Sequence, residues 1–170
     1  MVEYLIPFKG LSVGKHDFQF HVKDKFFVDI KSDIVEDGNL VIDFILDKQS
    51  RLMTSEMFIK GNIKLVCDRC LGLFDFPIDV KCNQIFKFGS APDIQQDDII
   101  YLSNKDYQID VSELILENII LEIPIRKIHP DDKDGNPICN NDQLKLINKY
   151  VKKKHADPRW DALKNIKFDD

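Results

Sequence analysis

Between Met57 and Phe88 the chain alternates apolar and polar residues almost without a break. Met57, Ile59, Ile63 and Leu65 share one face of a segment that runs directly into Cys67. Beyond Cys70 the alternation resumes, with Phe74, Phe76, Ile78, Val80, Cys82, Phe86 and Phe88 on one face and Asp75, Asp79, Lys81, Asn83 and Lys87 on the other. A period of two is the mark of a half-buried antiparallel strand. The pattern therefore predicts a hairpin whose connection carries "CDRC". "EYLIPFKGL", "KHDFQFHV", "NLVIDFILD" and "IIYLS" read as further strands, "VEDGN" as a turn and "GSAPDIQQDD" as an acidic loop. "DKFFVDIKS" allows one helical turn after Asp24.

The period then changes. In "DVSELILENIILEIP", Val111, Leu114, Ile115 and Ile119 recur at helical spacing, Asp110 and Glu113 form a capping pair, and Pro124 ends the run. Glu113 and Glu117 read as the polar stripe of that helix. "RKIHPDDKDGNPIC" is a polar loop. "NNDQLKLINKYVKKK" predicts a helix with Leu144, Ile147 and Val151 on one side, and "DPRWDALKNI" a short last helix with Asp157 as N-cap and Pro158 at its first position. No internal repeat or low-complexity tract is present. The expected fold is α+β: a mainly antiparallel β-sheet body, barrel-like or a sandwich, with one buried helix over 1–139. A helical C-terminal arm over 140–170 belongs to the same domain.

Charge sharpens this division. The 170-residue chain carries a formal −5, but Lys145–Lys167 holds eight basic residues against Asp157 and Asp161. That segment is +6 and the remainder −11. A basic arm on an acidic body suits a one-sided contact with an anionic polymer rather than wrapping by it. Lys149, Lys152, Lys153, Lys154, Arg159 and Lys164 can meet phosphates or form a solvated face. Trp160 can stack on a base or fold back beside Leu163 and Ile166. "MVEYLIPFKG" has no secretory character, and Glu117 and Glu122 interrupt the longest apolar run, so a cytoplasmic protein without a membrane span is expected.

In a reducing compartment paired cysteines point to metal or catalysis rather than to a disulfide. Cys67 and Cys70, spaced C-x-x-C in one turn, can give two thiolates to one zinc ion, with S–Zn near ~2.3 Å. Cys82 shares the core face of its strand and reads as a small buried hydrophobe; roughly 40 Å of extended chain would separate it from the turn. Cys139 stands in a polar loop, and His129 is the histidine near it in sequence, so Cys67, Cys70, Cys139 and His129 make a possible Cys3His set. His129 reads equally well as a solvated loop residue. A redox C-x-x-C would sit at a helix N-terminus, whereas a strand pattern follows this one. There is no Gly-rich phosphate loop, no H-E-x-x-H and no G-x-S-x-G.

Four stretches in order resemble the YceD-like bacterial proteins: "CDRCLGLFDFPIDVKC", "IDVSELILENIILEIPI", "HPDDKDGNPIC" and "PRWDALKNI". The likeness covers roughly residues 55 to 167. It implies a role in accumulation of the large ribosomal subunit's RNA, no enzymatic activity, and a metal site mapping to Cys67, Cys70 and Cys139, with His129 or a water as fourth ligand. The expectation is a non-enzymatic cytoplasmic factor, carrying zinc, that binds large-subunit rRNA or a ribosomal or assembly protein and has no small-molecule substrate. The rival readings are a thiol redox protein using Cys67 and Cys70, and a metal-free interaction module.

Overall fold

The computed structural model describes residues 4–89, 99–135 and 138–151. Its contacts divide into two compact units: Met1–Val66 with Leu73–Lys127, and Cys67–Gly72 with Ile128–Asp170.

The first unit is built on one five-stranded sheet. Its strands are β2 (Gly14–Val22), β3 (Gly38–Lys48), β4 (Leu52–Val66), β5 (Leu73–Phe88) and β6 (Ile99–Leu102), in spatial order β2-β3-β4-β5-β6. Alternation decides which side chains enter the core. On β4, Met53, Met57, Ile59, Ile63 and Leu65 are buried, and they meet Leu40, Ile42, Phe44 and Leu46 of β3. Val66 lies opposite Leu73 and Met57 opposite Cys82, so β4 and β5 form the long hairpin that the period of two predicts. Pro77 lies within β5, where a missing N–H is tolerated because β6 pairs only with Ile85–Phe88. At Gly61 the two inner strands approach so closely that a Cβ would stand 2.2 Å from the Asn39 carbonyl oxygen, and φ is +147°. Only glycine fits both conditions.

Two short helices complete this unit. Helix α1 (Asp24–Asp29) buries Phe26 and Phe27, which meet edge-to-face with centroids 5.3 Å apart. Helix α2 (Ser112–Glu122) buries Ile115 and Ile119 and packs on β5. The Asp110 carboxylate accepts from the Ser112 amide at 2.9 Å and from its hydroxyl, which starts α2. The Val111 N-cap position itself offers no side-chain bond, so the reciprocal cap expected with Glu113 is not formed. Pro124 follows the last turn, as expected.

Three expectations need correction. The sheet does not close into a barrel: β2 and β6 stand at opposite ends of the ladder. The other sheet among the described residues is the two-residue pairing of β1 (Leu5–Ile6) with β7 (Ile109–Asp110). Strand β6 runs parallel to β5, so the sheet is mixed. Periodicity assigns a residue to a face but carries no information on a neighbour's direction. The stretch "EYLIPFKGL" is extended only at Leu5–Ile6, because Pro7 cannot continue a ladder and the chain tightens into a 3₁₀ turn over Phe8–Gly10.

The second unit contains the Cys67–Gly72 turn, the polar loop from Ile128, and helix α3 (Asn141–Val151). The Asn140 side chain accepts from the Asp142 amide at 2.9 Å and so caps α3, one residue after Cys139. The remainder of the expected arm, including the helix expected at "DPRWDALKNI", lies outside the described residues. Among the described residues no helix is long and apolar enough to cross a membrane.

Candidate metal centre

The turn after β4 is shaped by its backbone. The Cys67 amide donates to the Gly72 carbonyl at 2.9 Å, and the Leu71 amide donates to the Cys67 carbonyl at 2.9 Å. Leu71 adopts φ 59°, the left-handed conformation that lets the chain fold back under the cysteines. The Arg69 amide points at Cys67 Sγ, 3.4 Å away. Both C-x-x-C thiols are thereby turned inward. The opposing donors come from the loop: His129 follows Ile128, and Cys139 immediately precedes the capping Asn140.

The structure brings Cys67, Cys70, His129 and Cys139 together, with one ligand atom from each and all four atoms within 4.8 Å of one another. Cys67 Sγ is 3.8 Å from Cys139 Sγ, Cys70 Sγ is 3.4 Å from His129 Nδ1, and Cys139 Sγ is 3.7 Å from the same nitrogen. A tetrahedron with Zn–S near ~2.3 Å and Zn–N near ~2.0 Å has S···S edges of about 3.8 Å and S···N edges of about 3.5 Å. These three separations are close to those edges, and the remaining pairs lie within 4.8 Å. They do not match a disulfide, whose sulfurs would be about 2.05 Å apart. All four cysteines are free thiols. Among the described residues this is the group of metal-ligating side chains that gathers in this way. Three soft sulfurs and one imidazole are a donor set suited to zinc.

The electrostatics divide the thiols. Burial pushes Cys67 up, but backbone N–H groups of Cys70, Arg69 and His129 outweigh it and bring the thiol from 9.0 down to about 6. Cys139 is pushed up to about 11 by burial and by hydrogen bonding with Cys67 and Cys70. A divalent ion in the site would favour the ionised form of both. Sequence reasoning misses these inward-pointing amides; the C-x-x-C turn itself is the signal for them.

Cys82 is half-buried on β5 against Met57, and burial pushes its thiol up to about 11, in keeping with a packing role. Of the basic residues expected to meet phosphates, Lys149 is exposed in the last turn of α3. Lys152, Lys153, Lys154, Arg159 and Lys164, like Trp160, lie outside the described residues.

The family model described as "Large ribosomal RNA subunit accumulation protein YceD" matches residues 56–167. A Bacillus subtilis (strain 168) protein described as "Uncharacterized protein YlbN" is 29% identical over 126 residues, covering 73% of this chain and 72% of that one. No solved structure matches. The family match spans the hairpin, α2, the loop and all four donor residues, and the chain belongs to the YceD family, the large ribosomal RNA subunit accumulation proteins.

Proposed function

We propose that this protein is a non-enzymatic, zinc-bearing factor that supports accumulation of large-subunit rRNA, and that it meets the RNA through its basic C-terminal segment. The observation that carries the reading is the closed Cys3His set within a chain of the YceD family. Three sulfurs and one nitrogen fill a tetrahedral zinc, leaving no open position for a water or substrate, which favours a structural over a catalytic metal. When bound, the ion supplies charge neutralisation and a rigid link between turn and loop. The residues do the rest: Cys67 and Cys70 fix the turn, and His129 and Cys139 fix the loop.

The thiol-redox reading draws on the depressed Cys67. It is the weaker one, because the thiol facing Cys67 across the site, Cys139, is pushed up, and β5 rather than a helix follows the turn. The metal-free reading leaves the convergence of four donor atoms without a cause.

The test is depletion of the protein in its host, with rescue by the wild-type chain or by a variant carrying Cys67→Ser and Cys139→Ser. Loss of large-subunit rRNA relative to small-subunit rRNA, restored by the wild type and not by the variant, is the expected result. An unchanged ratio on depletion would overturn the reading.

A further inference from the structure

The buried side chains are distributed unequally between the two units. Among the described residues, every member of the apolar core, from Tyr4 to Ile119, belongs to the first unit. Among the described residues of the second unit, the buried side chains are Cys67, Cys70 and Cys139, the three sulfur donors themselves. Helix α3 buries no residue. Leu146, Tyr150 and Val151 are 50%, 73% and 69% exposed, and Ile138 in the preceding loop is 56% exposed.

The described part of α3, Asn141–Val151, has no buried face, and packing of such a face is what usually stabilises a helix in a protein. Its propensity is ordinary, and its Lys145–Asp142 pair at 3.2 Å is exposed and contributes little. What distinguishes α3 is its start. Cys139 stands one residue before the Asn140 cap, so whatever fixes Cys139 also fixes the first turn, the costly step of helix formation.

We propose that the metal ion is the folding core of the second unit: loading Cys67, Cys70, His129 and Cys139 orders the loop and α3, and unloading releases them while the β-sheet unit stays folded. The ion then acts as a switch that presents or withdraws the exposed apolar side chains of α3, Leu146, Tyr150 and Val151. This rests on the metal reading above and goes beyond it, because a structural ion can equally decorate a unit that is already folded. Donors drawn from two distant segments, with no other buried side chain among the described residues of the unit, make binding and folding one event.

The experiment is hydrogen exchange read by mass spectrometry on the full chain, as purified, after chelation, and after reloading with one equivalent of zinc. We expect peptides over 141–151 and over the 67–72 turn to exchange at least about tenfold faster on chelation and to recover with zinc, while peptides from β3 and β4 do not change. Zinc uptake with unchanged protection over 141–151 would overturn this inference and leave the metal reading standing. Equal loss of protection in β3 and β4 would also overturn it, since the ion would then support both units. Failure to take up zinc at all would overturn both.

Discussion

Cys67 and Cys139 are 72 residues apart in the chain, yet their sulfur atoms lie 3.8 Å from each other. That distance is too long for a bond between them and fits the edge of a tetrahedron around an ion. Replacing Cys139 with serine should therefore abolish stoichiometric zinc binding, because two thiolates and an imidazole leave the site open. Far-UV circular dichroism should retain the β signal, since the described apolar core lies in the first unit. Elemental analysis of the purified variant checks this, with zinc falling well below one ion per chain.

The thiols set the direction of the pH dependence. Cys67 in the folded protein lies at about 6, below its ordinary 9.0, so its thiolate contributes stability that is present above 9 and is lost as pH falls through 6. Cys139 lies at about 11, above its ordinary 9.0, so in the metal-free protein its thiol form contributes stability that is present below 9 and is lost as pH rises through 11. Zinc uptake near neutral pH should accordingly release the Cys139 proton, and zinc affinity should fall more steeply below about pH 6, where Cys67 also takes up a proton in the ion-free site. Calorimetry in buffers of different ionisation enthalpy measures the first, and a chromogenic chelator the second.

Leu71 is 76% exposed and held at φ 59°. A side chain there sacrifices packing and strains the backbone, at a cost of roughly 1–2 kcal/mol for the left-handed conformation. Leu71→Gly should remove that strain while leaving the buried side chains as they are. The expected result is zinc affinity equal to or up to about tenfold tighter than wild type in chelator competition.

Gly61 gives the opposite sign. An added methyl would collide with the Asn39 carbonyl in the centre of the sheet, at a φ that side chains avoid. Gly61→Ala should destabilise the β unit by about 2 kcal/mol or more, which for a chain of this size lowers Tm by roughly 4–8 °C. Differential scanning calorimetry reads this, and the zinc content should be unaffected.

The basic segment yields a prediction about RNA. Neutralising Lys152, Lys153 and Lys154 should weaken binding to a single-stranded large-subunit rRNA fragment. It should also reduce the slope of log affinity against log salt by about 2, near 0.7 for each phosphate that a lysine no longer neutralises. A binding titration at several salt concentrations measures both quantities.

Much of the hairpin and the donor set is legible in the residues, for identifiable reasons. Alternation from Met57 to Phe88 assigns faces directly, and C-x-x-C at the connection marks a turn able to offer two ligands to one ion. Residue type and loop polarity alone suggest the coupling of that turn to Cys139 and His129; the 3.8 Å separation is a tertiary fact that no local pattern encodes. The parallel pairing of β6, the two-residue β1–β7 sheet and the open ladder are not readable, because pairing direction and closure depend on how distant segments dock. The backbone amides that depress Cys67 are equally hidden, since any residue can supply an N–H. Leu144, Ile147 and Val151 announce helix α3, but the burial that such spacing usually signals is absent.

We propose that four side chains from two segments, Cys67 and Cys70 with His129 and Cys139, share one zinc ion. X-ray absorption at the zinc edge of the purified protein tests it most directly. The account predicts one zinc per chain with three sulfurs at about 2.3 Å and one nitrogen at about 2.0 Å. A zinc-free protein, or a shell of oxygen scatterers without sulfur, would contradict it.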